Sequence, residues 1–290
     1  MIAIFGKSLP TNFFEQMKEI IAKFETTQQP YACYEPLYKE LMNNNIKANC
    51  SRFTDYSTLP PDTTLILSIG GDGTMLETLT IIRDSNIPIV GINTGKLGFL
   101  SEIFPEDISA SMDWLLAREF RIQPRNVLEI TSPDIEINTY NYALNDFTVR
   151  KNDHATLDRI TVSVDNKYLN TYWADGLIIS TATGSTAYSL SVGGPILVPE
   201  SKSIILSPIA SHNLTVRPMV LDGNSTIELT IEGRNNIHVA TFDNRIIEIP
   251  SNTRFQIKSA LFSLNMAQLE EHDFFKTLRN KLMWGIDKRN

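Results

Sequence analysis

Apolar and polar positions follow two different rhythms along this chain, and the change falls near residue 120. Before it, short apolar runs alternate with stretches of helical spacing. Residues 2–5, 65–69 and 87–92 read as buried strands, being continuous apolar runs bounded by turn residues. Residues 12–24 read as a helix, with Phe13, Phe14, Met17, Ile20, Ile21 and Phe24 on one broad face. Residues 34–42, 75–83 and 105–116 are the other helices the pattern predicts. Strands interleaved with helices imply a parallel sheet covered on both faces.

After residue 120 the helical spacing gives way to segments that read as strands: 127–130, 160–164, 177–179, 204–206, 226–231, 237–240, 246–249 and 255–257. Turn signals such as Asp165-Asn166 and Asp222-Gly223-Asn224 separate them, which predicts an antiparallel β domain. Helical periodicity returns over residues 272–285, with Phe274, Phe275, Leu278, Leu282 and Met283. The expected organisation is an α/β domain over 1–120, a β-rich domain over 121–265 and a C-terminal segment, 266–290, returning to the first domain.

Composition changes this picture little. Hydrophobic residues make up 42% of the 290 positions, enough for a proper core. The net charge of −7 argues against a general nucleic-acid binder, though not against a nucleotide held by local donors. Cys33 and Cys50 form no metal-ligand pattern and read as reduced thiols of a cytoplasmic protein. The first residues read as a strand rather than a signal peptide, and no run reaches membrane-spanning length.

Candidate chemistry concentrates at four places. Gly70-Gly71-Asp72-Gly73-Thr74 lies where a buried strand meets a helix. Glycines there let a ligand approach the backbone, and free N–H groups at a helix start suit phosphate. A carboxylate in the same turn would repel an anion. Asp72 therefore takes a proton, helps hold a metal ion, or caps the helix. Residues 93–100, NTGKLGFL, follow the next strand; two glycines and Lys96 suit phosphate, and Phe99 suits stacking on a base or burial in the core. Alternation around Asn145-Asp146 suggests a strand that brings an amide and a carboxylate to one place, paired acceptors that suit vicinal ribose hydroxyls; alone the pair reads as a turn. Residues 175–195, DGLIISTATGSTAYSLSVGGP, run a strand into a long small-polar turn and a short helix, again suited to a polar nucleotide.

Several familiar sites are absent. Residues 91–96 read G-x-x-x-G-K, one residue short of a P-loop, and Leu97 stands where Ser or Thr is needed. No G-x-G-x-x-G follows a strand, and no G-x-S-x-G elbow exists. His154, His212, His238 and His272 are scattered and read as surface or structural residues, with His212 set apart by the resemblance below.

Taken together, GGDGT at 70–74, NTGKLGFL at 93–100, Asn145-Asp146, the 175–195 segment, PIASHNLTVRP at 208–218 and FKTLRNKLMWG at 275–285 resemble the bacterial NAD kinases. GGDGT alone is shared with lipid kinases; the TGSTAY segment with the downstream histidine pattern is more specific. The resemblance implies an α/β nucleotide-binding domain, a mainly antiparallel β domain and a C-terminal helix packed back on the first. It implies transfer of the γ-phosphoryl of ATP to the 2′-hydroxyl of the adenosine ribose of NAD, with a divalent metal such as Mg²⁺. In that reading Asp72 is the general base, and Gly71, Gly73 and Thr74 line the phosphate path. Phe99 packs on NAD, and Asn145 and Asp146 hold ribose hydroxyls. Asp175, Thr186, Ala187, Tyr188, Ser189, Leu190 and Ser191 bind the rest of NAD. His212 matches a family histidine near the site. A homodimer or homotetramer, with no membrane or nucleic-acid partner, is the implied assembly. The chain departs from the family pattern at Asp146 (Glu is commoner), Ala182 (Pro), Glu77 (Arg or Lys) and Trp173 (a basic residue in some relatives). A lipid kinase sharing GGDGT and a non-catalytic NAD(P)-binding regulator remain as alternatives; the first lacks a reason for TGSTAY, the second for Asp72.

Overall fold

The computed structural model describes residues 1–95, 98–101, 103–152, 158–234, 236–269 and 273–285. Lys96, Leu97, His154 and His272 lie outside the described residues. The chain forms two compact units, residues 1–124 with 264–290, and residues 125–263.

In the first unit, β1 (Ile2–Phe5), β2 (Tyr31–Tyr34), β3 (Ser51–Phe53), β4 (Leu65–Ile69), β5 (Ile89–Ile92) and β6 (Arg121–Arg125) join one sheet. A strand from the far end of the chain, Leu264–Gln268, inserts between β5 and β6, so the order is β3-β2-β1-β4-β5, then this strand, then β6. β1 pairs in parallel with β2 and with β4, and β4 in parallel with β5. Every residue of β1, β4 and β5 is buried, as continuous apolar strands covered on both faces require. The order reverses between β1 and β4. Ligands bind α/β sheets at such a switch point, outside the carboxyl ends of the strands. The Gly70 turn leaves β4 at that end.

Helices α1 (Phe14–Thr26), α2 (Glu35–Asn43), α3 (Asp72–Ile82) and α4 (Ile108–Ala117) cover this sheet. α1 buries Met17, Ile20, Ile21 and Phe24, the stripe the periodicity predicts. Phe13 belongs to a 3₁₀ turn before α1, although it too is buried. Residues 105–107 likewise form a 3₁₀ turn, and α4 begins only at Ile108. α3 buries six of its residues, Met75, Leu76, Thr78, Leu79, Ile81 and Ile82.

The second unit is a sandwich of two antiparallel sheets. One has the order Lys167–Ala174, Asp158–Val164, Ile227–Glu232, Arg254–Ser259, Leu128–Thr131, Tyr142–Ala143. The other has the order Met219–Leu221, Ile204–Ile209, Gly176–Ser180, Asp146–Lys151, Ile237–Phe242, Arg245–Pro250. The strand Ile227–Glu232 alternates buried and half-buried residues, the signature of a sheet with one dry face. Gly176–Ser180 is buried throughout, because the segment after it folds back over its second face. Phe147 joins the sandwich: its ring lies 5.0 Å from Phe242 in its own sheet and 5.0 Å from Phe255 in the facing one.

Cys33 and Cys50 are free thiols. Among the described residues, no helix is long and apolar enough to cross a membrane.

Phe147 fills the centre of the second unit, so Phe147→Ala should destabilise that unit by about 3–5 kcal/mol. A urea titration followed by circular dichroism measures this; a loss below about 1 kcal/mol would mean the sandwich repacks around the gap.

Candidate active site

The first cluster is built on the Gly70 turn. Gly70 has φ +155, and a Cβ there would come within 2.2 Å of Thr74 Oγ1, so only glycine fits. Gly71 is the N-cap of α3 and Asp72 its first residue. Asp72 does not cap the helix. Its Oδ2 accepts the N–H of Phe99 at 3.0 Å, and its Oδ1 accepts the N–H of Leu100 at 3.0 Å. The carboxylate thus pins the loop after β5 onto the start of α3. Gly98 makes room for it: a Cβ at that position would meet Asp72 Oδ1 at 2.1 Å.

Gly71 and Gly73 differ from those two glycines. Among the described residues, a Cβ added at either would meet nothing within 4 Å. Internal packing does not demand glycine there, and the space beside the backbone is open. The first bond of α3 in the i to i−4 pattern runs from Met75 N to Gly71 O, leaving the N–H groups of Asp72 and Gly73 without an intrahelical partner. Among the described residues, open space, donors left over by the helix and its positive end together make an anion site.

Two further features border this turn. Lys281, in the last turn of the C-terminal helix Phe274–Leu282, places its ammonium 3.5 Å from Asp72 Oδ2 and 4.3 Å from the centroid of the Phe99 ring. Lys7, just past β1, pairs with Glu77 of α3 at 2.8 Å. Glu77 therefore has a partner inside the unit, which gives a reason for an acidic residue at that position.

The second cluster lies wholly in the second unit. Asn145 sits in the break between the strands Tyr142–Ala143 and Asp146–Lys151, and Asp146 opens the second of them. Asp243 fixes that break. Its Oδ1 accepts the N–H groups of Asn145 at 2.7 Å and Asp146 at 3.2 Å, and its Oδ2 accepts that of Leu144 at 3.0 Å. Arg245 supports Asp243 at 3.5 Å and also donates to the carbonyls of Tyr140 and Tyr142. From the other side, the hydroxyl of Thr181 donates to the Leu144 carbonyl at 2.6 Å, and that of Ser180 to the Asn145 carbonyl at 3.1 Å. Gly184 packs so closely that a Cβ would meet the Asn145 carbonyl oxygen at 2.1 Å.

Asp243 and Arg245 carried no motif signal. Asp243 lies in an ordinary-looking turn, Phe242-Asp243-Asn244-Arg245, with φ +55. Only an Asp-Asn hairpin signature marked the place, and nothing local said which loop it would hold.

The segment after Ser180 continues as a 3₁₀ turn, Thr183–Thr186, and the short helix Tyr188–Ser191. Thr186 and Ala187 are half-buried, while Tyr188 and Ser191 are exposed. Ser189 is fully buried, and its hydroxyl pairs with that of Ser207 at 2.9 Å, so this side chain serves packing. Ala182 has φ −59, a value proline shares, so alanine keeps the same backbone path. Asp175 stands apart from Asn145-Asp146. The register pairs Ser180 with Asp146 and Gly176 with Arg150, which sets Asp175 and Asp146 at opposite ends of one strand, about 17 Å apart. Asp175 is bound there by Lys151 at 2.6 Å. His212 is exposed, and its N–H donates to the carbonyl of Trp173, whose side chain is exposed too.

Burial, and then the neighbouring Asp243, push the Asp146 carboxyl up to about 7, against a hydrogen bond from Thr148. Burial also pushes Asp243 up; the Leu144 N–H, Arg245 and two further backbone donors pull it back. A carboxyl raised in the folded state opposes folding once it ionises. The contribution of Asp146 is therefore full below about pH 4 and is lost as pH rises through about 7. The urea midpoint of the second unit should fall across that window, and Asp146→Asn should flatten the fall. An unchanged slope in the variant would assign the pH dependence to another group.

Residues 12–120 match the family model of the ATP-NAD kinase N-terminal domain, and residues 144–269 that of the ATP-NAD kinase C-terminal domain. An NAD kinase of Flavobacterium psychrophilum is 39% identical over 292 residues, covering 100% of this chain and 99% of its own. One of Cytophaga hutchinsonii is 42% identical over 239 residues, 82% of this chain and 81% of its own. Among solved structures, yeast NADH kinase complexed with NADH superposes with a TM-score of 0.88 at 21% identity, covering 99% of this chain and 88% of that one. An NAD kinase from Archaeoglobus fulgidus in complex with ATP gives 0.75 at 23% identity, covering 97% and 98%. At such identities the structures speak to the fold, while the sequence matches carry the family. The chain belongs to the ATP-NAD kinase family.

Proposed function

We propose that this protein is an NAD kinase, transferring the γ-phosphoryl of ATP to the 2′-hydroxyl of the adenosine ribose of NAD to form NADP. The single observation that carries the reading is full-length similarity to NAD kinases in a chain that keeps Asp72 fixed at an open, glycine-lined anion site. The clasp on the loop after β5 would serve a non-catalytic binder equally, so turnover is what separates the two readings.

Phosphoryl transfer needs positioning and charge neutralisation more than covalent help from the protein. The N–H groups of Asp72 and Gly73, which have no intrahelical partner, donate to phosphate oxygens, and Thr74 closes the turn. Asp72 accepts the proton of the 2′-hydroxyl as its oxygen bonds to the γ-phosphorus and the bond to the ADP oxygen breaks. The amides of Phe99 and Leu100 hold this carboxylate in place while leaving it lone pairs for the proton. Asn145 and Asp146, set by Asp243, hold ribose hydroxyls; near pH 7 the raised Asp146 is available in both protonation states. Thr186, Ala187, Tyr188 and Ser191 offer their half-buried or exposed surface to the dinucleotide.

Among the described residues no group of three or more His, Cys, Asp or Glu is arranged to hold a metal. Mg²⁺ suits this donor set, because it binds through one or two carboxylates, substrate phosphates and water rather than a protein cage. Asp72 is the carboxylate that would share it, and the ion would supply positive charge to the phosphates. We also read the protein as a cytoplasmic homo-oligomer, on family likeness alone.

Purified protein should form NADP from NAD, ATP and Mg²⁺, read through an NADP-specific dehydrogenase. Asp72→Asn should keep NAD binding and lower turnover by about 10²–10⁴-fold, the usual worth of a positioned base. Turnover near wild type in that variant would remove Asp72 from the base role. Dinucleotide binding without turnover, whatever the donor, would favour the regulator.

A further inference from the structure

An anion site containing an aspartate carries a built-in conflict. The N–H groups at the start of α3 favour phosphate, but the Asp72 carboxylate beside them repels it. The catalytic reading requires both, and the described structure contains something that reconciles them. Lys281 comes from a segment about two hundred residues away in sequence, yet its ammonium lies 3.5 Å from Asp72 Oδ2. The Phe99 ring holds the same ammonium at 4.3 Å, a cation–π distance. Phe99 in turn is tied to Asp72 through its backbone N–H. Carboxylate, ring and ammonium therefore form one cluster drawn from three separate segments of the first unit.

The helix that brings Lys281 is built to arrive there. Asp273 caps it, its Oδ1 accepting the N–H of Phe275 at 2.8 Å. Leu278 is buried and anchors it, and Lys281 lies one turn further on. The side chains of Lys281 and Asp72 are 29% and 31% exposed, which weakens screening by solvent without closing the site. The other lysine near α3, Lys7, has its charge matched by Glu77. Among the described residues, the ion contact on Asp72 comes from Lys281.

We propose that Lys281 is the counter-charge of this site, offsetting the Asp72 carboxylate so that the phosphates of a nucleoside triphosphate bind beside it. The proposal rests on the reading of the Gly70 turn as the phosphate site of an NAD kinase. It makes Lys281 a positioning residue that acts through Asp72, and it gives the C-terminal helix a role beyond packing. An ordinary surface ion pair would contribute little to stability and nothing to ligand affinity.

The test is a double-mutant cycle on ATP binding, measured by calorimetry with Mg²⁺ and without NAD. Wild type, Lys281→Met, Asp72→Asn and the double variant are compared. Lys281→Met should weaken ATP binding about tenfold when Asp72 is present and by less than about threefold when Asp72 is Asn, since the repulsion it offsets is then gone. Lys281→Arg should stay within about threefold of wild type, because charge rather than shape is what matters. Lys281→Gln replaces the methionine variant if that one fails to fold, as judged by its thermal melt. ATP binding within about twofold of wild type in the uncharged variant overturns the proposal. So does an equal loss with and without the Asp72 carboxylate. Turnover of Asp72→Asn alone is measured separately: normal turnover there defeats the base role while leaving the binding cycle to decide on Lys281.

Discussion

The carboxylate of Asp72 is the hinge pin of the candidate site. A residue at the first position of a helix usually turns its side chain to solvent or to its own helix. Here both oxygens are spent on the backbone of another loop, the N–H groups of Phe99 and Leu100. That choice dictates the surroundings. Gly98 must lack a side chain because the carboxylate occupies its space. Gly70 must lack a side chain because Thr74 lies where a Cβ would go. Phe99 is presented at the rim, where Lys281 finds it. A charged acceptor bonded to two backbone donors is a strong and directional contact, so the geometry at the carboxyl end of β4 is set before any ligand arrives.

The second unit repeats the device with a different residue. Asp243 gathers the N–H groups of Leu144, Asn145 and Asp146 while the hydroxyls of Ser180 and Thr181 take the carbonyls of the same break. A strand break leaves orphaned backbone groups, and buried ones must be satisfied. One buried carboxylate and two hydroxyls do so, and in consequence Asn145 and Asp146 are held at a defined place. The cost appears at Asp146, whose carboxyl is pushed up by burial and by Asp243 beside it.

The strands β1, β4 and β5 and the stripe of α1 were legible because each is a local pattern with a single solution. The GGDGT turn was legible for the same reason, since strand, glycines and helix are contiguous. The small-polar segment after Gly176–Ser180 also announced itself as a turn and a short helix. Other elements stayed hidden. The three-residue strand Ser51–Phe53 is too short to show alternation, and Leu264–Gln268 reads like any edge of a β domain although it enters the first sheet. Asn145-Asp146 reads as part of one strand; Asp146 does open a strand, but Asn145 lies in the break before it, held by Asp243.

The sequence by itself determined the fold class, the family and the identity of the polar groups gathered at each turn, because these follow from contiguous runs of residues. Only the tertiary structure decided what each group does with its hydrogen bonds. It showed that Asp72 clasps another loop instead of capping its helix, that Ser189 is spent on Ser207, and that Asp243 sets the break at Asn145. It also showed that a lysine from the end of the chain reaches the carboxylate near its beginning. Such contacts are non-local. No spacing along the chain encodes them, since they depend on where packing brings distant segments to rest.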